Sequence, residues 1–492
     1  MFTVALLCVC VLTVNLDITI INVALGTLAE SLAASTADLQ WITASYLLAA
    51  AAFIVVAGVV ADRFGRKLVL RLGLIVFMIA SAMAALAASV AVLIVARALM
   101  GLGSAAILTA SVSIITTMFT GATRRRALAS WSTAAALGLP LGPVIGGYLL
   151  ERFWWGSIFL INVVICAAVI VGVWCLMPET RDKHRTGVDY ASVGLMSLGS
   201  LLLTYALIGM ESGRVAAGDI VVLVVGMTLL VLFFLRQRGL KRPLLSLEVV
   251  SRPDFAAPML ALMVIFFSMA AVLFSVPIFL QYAQHLNVLA VGLRIVPLAA
   301  GVTVASLLNE KLLKIAKPTM LIACGVVALA CGLLLFSGLG PNISILRLSG
   351  AMVLTGIGIG VAQPNALGSC IQSFPVEHHG VASGVVNSFR LLAGSLGIAV
   401  TGTAVSLLYA RRVEGTGNAA AISSVDRNDL MAKASMACGQ SLGSHHRNDV
   451  SVLVCDSYTH SLGTAFMACA VLAMLTVLLI VVSTRLRKRV YI

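Results

Sequence analysis

Charged residues are scarce in this sequence, where they make up 11% of 492 positions. A soluble globular domain carries about 25% of them, so the scarcity excludes an ordinary water-soluble fold. Hydrophobic residues take their place and reach 60%. Apolar runs of about 20 residues, the length that a helix needs to cross a bilayer, recur from end to end. The sequence therefore predicts an all-α polytopic membrane protein surrounded by the lipid bilayer.

Signals of enzymatic chemistry are missing as well. The sequence has no nucleophile elbow, no nucleotide-binding loop and no cluster with the spacing of metal ligands. Two pairs of adjacent histidines, at 378–379 and 445–446, lie in predicted loops, where such pairs are more often solvated than metal-bound. We therefore expect that the chain is not an enzyme and holds neither a metal nor an organic cofactor.

Fourteen apolar runs are each predicted to form one membrane-spanning helix. Their approximate bounds are 2–24, 43–61, 72–90, 92–118, 128–150, 157–177, 190–210, 219–235, 256–280, 288–308, 319–338, 346–370, 381–408 and 461–483. Two polar linkers divide these spans into six, two and six, as in a duplicated transporter with an inserted hairpin. We predict two six-helix pseudo-repeat bundles, at 1–177 and 255–492, and an inserted helix pair with its linkers at 178–254.

The excess of basic residues gives the chain a net charge of +14. In a soluble protein this excess would suggest a nucleic-acid partner, but here most of the cations lie in alternate short loops and in the C-terminal tail. The positive-inside rule places those loops in the cytoplasm. We expect a multi-pass monomer in the cytoplasmic membrane, with both termini cytoplasmic and no nucleic-acid partner.

One long outer loop, residues 409–460, belongs to the C-terminal bundle and contains Cys438 and Cys455. The two can form a disulfide if this face meets an oxidising compartment, but their spacing alone leaves pairing and free thiols equally open. The other eight cysteines lie in or beside spans, where a free thiol behaves as a small apolar residue.

Ionisable residues within the spans are few, and each costs about 2.5–3.5 kcal/mol on insertion scales. Asp17 is the only carboxylate near mid-membrane, whereas the buried cations are Arg97, Arg294 and Arg390. Two interpretations of Asp17 remain open. It holds helices together by pairing with Arg97, or it exchanges a proton when that cation withdraws. Arg97 has the same two alternatives, an interhelical tie or a partner in proton coupling.

The fifth span contains "LGLPLGPVIGGYLL", a stretch rich in residues that end helices in water. These residues are Gly138, Pro140, Gly142, Pro143, Gly146 and Gly147. Three of the glycines recur every four residues and predict a smooth groove for a neighbouring helix. Each proline frees a backbone carbonyl, which a membrane tolerates only against protein or water. The stretch predicts a tightly packed helix that blocks ion leakage while two halves of the protein rock.

The loop after the second span reads "GVVADRFGRK" and makes a short, tight connection to the third span. Gly58 and Gly65 suit close packing and a tight turn, and Asp62 can hydrogen-bond to a helix end. The basic residues of this loop are Arg63, Arg66 and Lys67. A plain basic loop would explain these cations, but it would not require the glycines and Asp62 at these spacings.

The chain resembles the major facilitator superfamily, and within it the fourteen-span drug:proton antiporters. The resemblance rests on "LDITIINVAL", "GVVADRFGRK", "RALMGLGSAA", "GLPLGPVIGG", "FLINV" and "GVASGVVNSFRLLAGSLG", which are similar to successive signatures of the family and cover both bundles. The resemblance implies that Asp17 and Arg97 take part in proton coupling and that the loop from Gly58 to Lys67 gates the cytoplasmic face. It also implies that Gly138 to Gly147 form the antiporter hinge. The glycine and proline pattern of this hinge is associated in the family with export. Arg390 matches the arginine of the last signature.

We therefore expect a proton-coupled antiporter that exports a hydrophobic drug or antibiotic by alternating access, driven by the proton gradient. A proton symporter that imports a small nutrient and a non-transporting membrane receptor are the alternatives. Polarity and position suggest a set of substrate-binding residues, although packing is the simpler interpretation for each one alone. The set is Asn22, Trp41, Phe274, Phe279, Gln281, Gln363 and Asn387.

Overall fold

The computed structural model describes residues 2–177, 189–209, 217–240, 252–284, 286–338, 340, 343–374, 379–414 and 449–490. These residues form fourteen helices that are long and apolar enough to cross a membrane. The helices are α1 Phe2–Ser31, α2 Thr36–Phe64, α3 Arg66–Ala85, α4 Val90–Met118, α5 Gly121–Arg152, α6 Ser157–Leu176, α7 Tyr190–Gly209, α8 Ala217–Gly239, α9 Pro253–Tyr282, α10 Val288–Leu312, α11 Pro318–Phe336, α12 Ile345–Gln372, α13 His379–Glu414 and α14 Asp449–Val490. The prediction of an all-α protein with fourteen spans is confirmed.

Short connections make consecutive helices antiparallel, and local capping sets where they begin. At the start of α2, the Ser35 hydroxyl accepts a hydrogen bond from the Asp38 backbone N–H at 3.2 Å, and the Asp38 carboxylate accepts one from the Ser35 N–H at 2.9 Å. Between α2 and α3, Gly65 has φ 115°, a conformation that a residue with a side chain rarely adopts. A single residue therefore reverses the chain there.

Buried apolar side chains form two large clusters. One is built mainly from α1 to α6 and the other mainly from α9 to α14. We call α1–α6 the N-terminal half and α9–α14 the C-terminal half. The side of the bundle that carries Arg63 and Arg66 is the basic side, and the other is the opposite side.

The inserted helices α7 and α8 pack chiefly against each other, and α7 also contacts α2 and α13. At the basic end of the pair, Asp189 accepts hydrogen bonds from Arg236 Nε at 3.2 Å and from Arg236 Nη2 at 3.0 Å. Asp189 also accepts a hydrogen bond from the Ser192 hydroxyl, which in turn accepts one from Gln237 Nε2 at 2.7 Å. This polar group fastens α7 to α8.

The two halves meet directly on the opposite side. Gln281 Nε2 of α9 donates to the Val23 carbonyl of α1 at 2.6 Å. Gly147 of α5 lies so close to α10 that a Cβ atom on it would be 2.9 Å from Leu289 Cα. Because both contacts join the ends of helices that lie farthest from the basic side, the halves are closed against each other on the opposite side.

Candidate functional site

A buried ion pair lies at the centre of the N-terminal half. Asp17 of α1 and Arg97 of α4 have side chains exposed by 0% and 1%, and Arg97 Nη1 is 2.6 Å from Asp17 Oδ2. The other carboxylate oxygen of Asp17, Oδ1, accepts a hydrogen bond from Asn162 Nδ2 of α6 at 2.7 Å. Three helices that are distant in sequence therefore converge on one carboxylate.

Groups from α2 complete the surroundings of Arg97. Its Nε donates to the Ile42 carbonyl at 3.3 Å, and its guanidinium carbon lies 4.4 Å from the centre of the Tyr46 ring. Tyr46 is itself buried. The guanidinium of Arg97 thus contacts a carboxylate, a backbone carbonyl and an aromatic face. These contacts stabilise its positive charge in an interior without water.

A buried ion pair does not by itself show that the fold is stabilised. Burying two charges costs several kcal/mol each, and their attraction repays that cost only with excellent geometry and further hydrogen bonds. Removal of one partner leaves an uncompensated charge in the membrane interior. The pair therefore gives α1, α2, α4 and α6 a common centre whose arrangement depends strongly on the charge of Asp17.

Helix α5 packs its glycines along the same segment of α1. A Cβ atom on Gly138 would lie 2.8 Å from Asn15 Cβ, one on Gly142 would lie 2.9 Å from the Leu16 carbonyl oxygen, and one on Gly146 would lie 2.6 Å from an Ile20 side-chain carbon. Real Cβ atoms almost never approach so closely, so only glycine fits at these positions. The glycine face of α5 therefore meets α1 on both sides of Asp17 along the chain.

The prolines do not interrupt α5, which is continuous from Gly121 to Arg152 with Pro140 and Pro143 inside it. The Pro143 carbonyl lies against Gly292 of α10, close enough to leave no room for a side chain there. Helix α5 thus packs on α1 with one face and on α10 of the other half with another. Its role as the antiporter hinge stays a prediction.

The predicted cytoplasmic gate differs from expectation at one glycine. Among the described residues, no heavy atom would lie within 4 Å of a Cβ on Gly58, so the described part of the chain does not show the close packing expected there. Gly65 does form the tight turn, whereas the side chain of Asp62 lies outside the described residues. Lys67 Nζ donates to the Trp174 carbonyl at 3.2 Å, and Arg66 is buried. Arg63 is exposed, with its guanidinium carbon 5.3 Å from the centre of the Phe64 ring.

The predicted substrate-binding residues have different surroundings. Phe274 and Phe279 are fully buried in two different apolar clusters, and Gln281 joins α9 to α1. The Asn22 side chain donates to the Ile18 carbonyl of its own helix at 3.0 Å. Trp41 lies 6.0 Å, ring centre to ring centre, from Tyr205 of α7. In this state these five residues pack within or between helices, and their role in substrate binding stays a prediction.

The remaining two members of that set have the same intermediate burial as Trp41 and Gln281. Gln363 of α12 and Asn387 of α13 are partly buried. Cys438 and the side chain of Cys455 lie outside the described residues, so their pairing stays a prediction. No group of three metal-binding side chains occurs among the residues that the structure describes.

Sequence reasoning missed two contributors to the ion-pair site. Asn162 lies in the quoted "FLINV" stretch, and an amide inside an apolar span is a signal that could have found it. Tyr46 gave no such signal, because a tyrosine in an apolar helix is an ordinary packing residue. A further polar contact in the C-terminal half, from Asn365 Nδ2 to Asn309 Oδ1 at 2.7 Å, was also missed.

Fourteen helices long enough to cross a membrane, arranged as two six-helix halves with the inserted pair α7 and α8, and an ion pair buried in one half, are the architecture of a polytopic secondary transporter. The chain belongs to the Major Facilitator Superfamily, whose model matches residues 7–398. It is therefore a transporter and not an enzyme.

Curated relatives and solved structures agree with this assignment. The chain is 31% identical to the multidrug efflux pump LfrA of Mycolicibacterium smegmatis over 83% of this chain and 82% of that protein. It is 28% identical to the methylenomycin A resistance protein of Bacillus subtilis over 80% and 85%. An inward-facing, unoccupied bacterial homologue of the human lysosomal transporter Spinster has the same fold, with a TM-score of 0.67 and 16% identity over 98% of this chain and 96% of that one.

Proposed function

We propose that the chain is a proton-coupled antiporter that exports a hydrophobic drug or antibiotic across the cytoplasmic membrane, as a monomer with both termini in the cytoplasm. The carrying observation is the buried Asp17–Arg97 pair on the helix against which the glycines of α5 pack. The names of the relatives, which are efflux pumps and resistance proteins, support export.

The ion pair offers a simple way to couple protons to helix movement. When Asp17 takes up a proton, its attraction for Arg97 falls, and α1 and α4 lose a charge-assisted hydrogen bond between them. Because α5 contacts α1 along this segment, a shift of α1 changes the surface that α5 presents to α10. Protonation would thereby favour one of two arrangements of the halves, and proton release the other.

The energetics permit such a cycle. A proton-motive force of about 180 mV supplies about 4 kcal/mol for each proton. That free energy sustains a roughly thousandfold gradient of a neutral substrate. One titrating carboxylate is therefore sufficient for effective export.

Replacement of the carboxylate tests the proposal. A drug-susceptibility panel in an efflux-deficient bacterium first identifies a compound against which the chain protects. In proteoliposomes, we expect Asp17→Asn to abolish the accumulation of that compound driven by a pH gradient. Exchange of labelled for unlabelled compound without a gradient should persist, because it requires movement of the halves but no net proton transfer.

Glu30→Gln is the matched control, since Glu30 is an exposed carboxylate at the end of the same helix. It should leave gradient-driven accumulation unchanged. Undiminished coupling in Asp17→Asn would refute the role of this residue, whereas uptake of the compound into energised cells would indicate import.

A further inference from the structure

The C-terminal half contains an arginine within a span that has no acidic partner among the described residues. Arg390 of α13 is partly buried, and its Nε atom is buried without a hydrogen-bond acceptor. Its guanidinium carbon lies 4.5 Å from the centre of the Phe266 ring on α9. An aromatic face attracts a cation but cannot accept the in-plane N–H bonds of a guanidinium.

Arg390 lies where the two halves meet. Two residues earlier on α13, the Ser388 hydroxyl donates to the Ala51 carbonyl of α2 at 2.8 Å. One turn later on the same face as Arg390, a Cβ on Gly394 would be 3.4 Å from Leu47 of α2 and 3.9 Å from the Phe266 carbonyl oxygen. This face of α13 therefore borders both the N-terminal half and α9, the surface between halves where a transported molecule passes.

Other arginines within the described spans differ from Arg390 in partner, exposure or position. Arg71 of α3 also has a buried Nε without an acceptor, and its guanidinium carbon lies 4.6 Å from the centre of the Trp174 ring, but α3 packs against α2, α4 and α6 inside the N-terminal half rather than between the halves. Arg97 faces Asp17, and Arg294 of α10 donates from Nη1 to Gln284 Oε1 at 2.7 Å. Arg347 lies exposed at the start of α12. Because a cation in a membrane interior is costly, the unmatched donors of Arg390 would be stabilised most by an anion that arrives from outside the chain. A planar carboxylate matches the guanidinium fork with two parallel hydrogen bonds.

We infer that Arg390 binds a carboxylate or similarly delocalised anionic group of the transported molecule, while the apolar part of that molecule lies along the face shared by α2, α9 and α13. This inference rests on the proposed export function and adds the chemical class of the cargo. The site would distinguish an anionic aromatic compound from its neutral counterpart.

A matched pair of fluorescent probes tests the inference. Dansylglycine carries a carboxylate, and dansylglycinamide replaces it with a neutral amide of nearly the same shape. Titration into the full-length purified chain in a neutral maltoside detergent measures each affinity by fluorescence. We expect the wild type to bind dansylglycine about tenfold more tightly than the amide, which corresponds to the loss of about one charge-assisted interaction.

Arg390→Gln should bind both probes with equal affinity, while its affinity for the amide stays within about twofold of that of the wild type. Arg390→Lys should retain part of the preference, because the charge remains and the planar fork is lost. The control is Arg294→Gln, which removes an arginine that already has a partner and should keep the full preference. Unchanged affinity for the amide also shows that a variant is folded.

Equal affinity of the wild type for both probes, or a preference that survives in Arg390→Gln, would overturn the inference. These titrations need no proton gradient, so their outcome is independent of the Asp17→Asn transport experiment. A chain that exports with protons but shows no carboxylate preference would retain the proposed function and lose only this inference.

Discussion

The two halves of this transporter surround an arginine within a span in opposite ways. In the N-terminal half, Arg97 is matched by Asp17, and the carboxylate is further bound by Asn162. In the C-terminal half, Arg390 lies over Phe266, and no described carboxylate neutralises it. The two sites have an aromatic ring beside the guanidinium in common, at 4.4 Å for Tyr46 and 4.5 Å for Phe266. The acid is what distinguishes them.

This difference suggests a division of labour between halves of similar architecture. A closed ion pair can change its charge only by taking up or releasing a proton, so it suits energy coupling. An open cation can change its surroundings by binding an external anion, so it suits recognition of cargo. Because α5 and α10 join the halves on the opposite side, each event can affect the same interface.

The largest expected difference between the two arginine sites is in the stability of variants that lack the arginine. Arg97→Gln leaves Asp17 buried with Asn162 as its hydrogen-bond donor, and loss of one partner of a buried pair costs about 3–5 kcal/mol. Arg390→Gln removes a cation that has no acidic partner, so it should be neutral or stabilising. Thermal unfolding in detergent measures both with a thiol-reactive dye, since buried free cysteines report on opening. These cysteines are Cys10, Cys166, Cys370 and Cys469.

The double variant Asp17→Asn/Arg97→Gln supplies the control, because it removes both charges. It should recover much of the stability lost in Arg97→Gln alone. If Arg390→Gln were as destabilised as Arg97→Gln, then Arg390 would be a structural tie, and the contrast between the halves would fail.

Glycine packing gives a second, smaller contrast. In the N-terminal half, a methyl group on Gly142 would press against the Thr19 hydroxyl and lie 2.9 Å from the Leu16 carbonyl oxygen. On α13, a methyl group on Gly384 would meet Val55 at an ordinary 3.6 Å. Overpacking a tight contact costs about 1–3 kcal/mol. Gly142→Ala should therefore lower both the melting temperature and the transport rate, whereas Gly384→Ala should change neither.

Transport assays and unfolding curves on the two alanine variants decide this point. A Gly142→Ala protein with normal transport would show that close contact between α1 and α5 is not needed for movement. A strong loss in Gly384→Ala alone would shift the critical helix contact from α1–α5 to α2–α13.

The sequence predicted the fold because bilayer thickness imposes a length on every apolar run, which is a one-dimensional signal. It also predicted the pairing of Asp17 with Arg97 as one alternative, since a membrane interior leaves a lone acid few partners. Asn162 was missed because an amide does not reveal which of several helices it faces. Gly58 was expected to pack closely, but a glycine in the sequence does not say whether a neighbouring helix approaches it.

The aromatic residues show the same limit. Polarity and position place Phe274 and Phe279 in the predicted substrate-binding set, yet each is fully buried among apolar side chains in this state. A helix position specifies depth in the membrane, whereas orientation toward a cavity depends on how the two halves are closed. Only the arrangement of helices supplies that information.

The ion pair between Asp189 and Arg236 at the basic end of α7 and α8 gives the smallest expected effect on stability, and it can be compared with the buried Asp17–Arg97 pair. Hydrogen bonds from Arg236 hold the pKa of Asp189 below its ordinary value, and Arg236 is 43% exposed. A lowered carboxyl pKa contributes stability above the ordinary pKa, about 4, and this contribution is lost as the pH falls through the folded value. Asp189→Asn should thus lower the melting temperature slightly at pH 7, and the difference from the wild type should begin to shrink near pH 4 and vanish only below the lowered pKa of the folded protein. Water screens the Asp189–Arg236 pair, so breaking it should cost less stability than breaking the Asp17–Arg97 pair. If Asp189→Asn lowered the melting temperature as much as Arg97→Gln does, location in the membrane interior would not set the cost of breaking an ion pair.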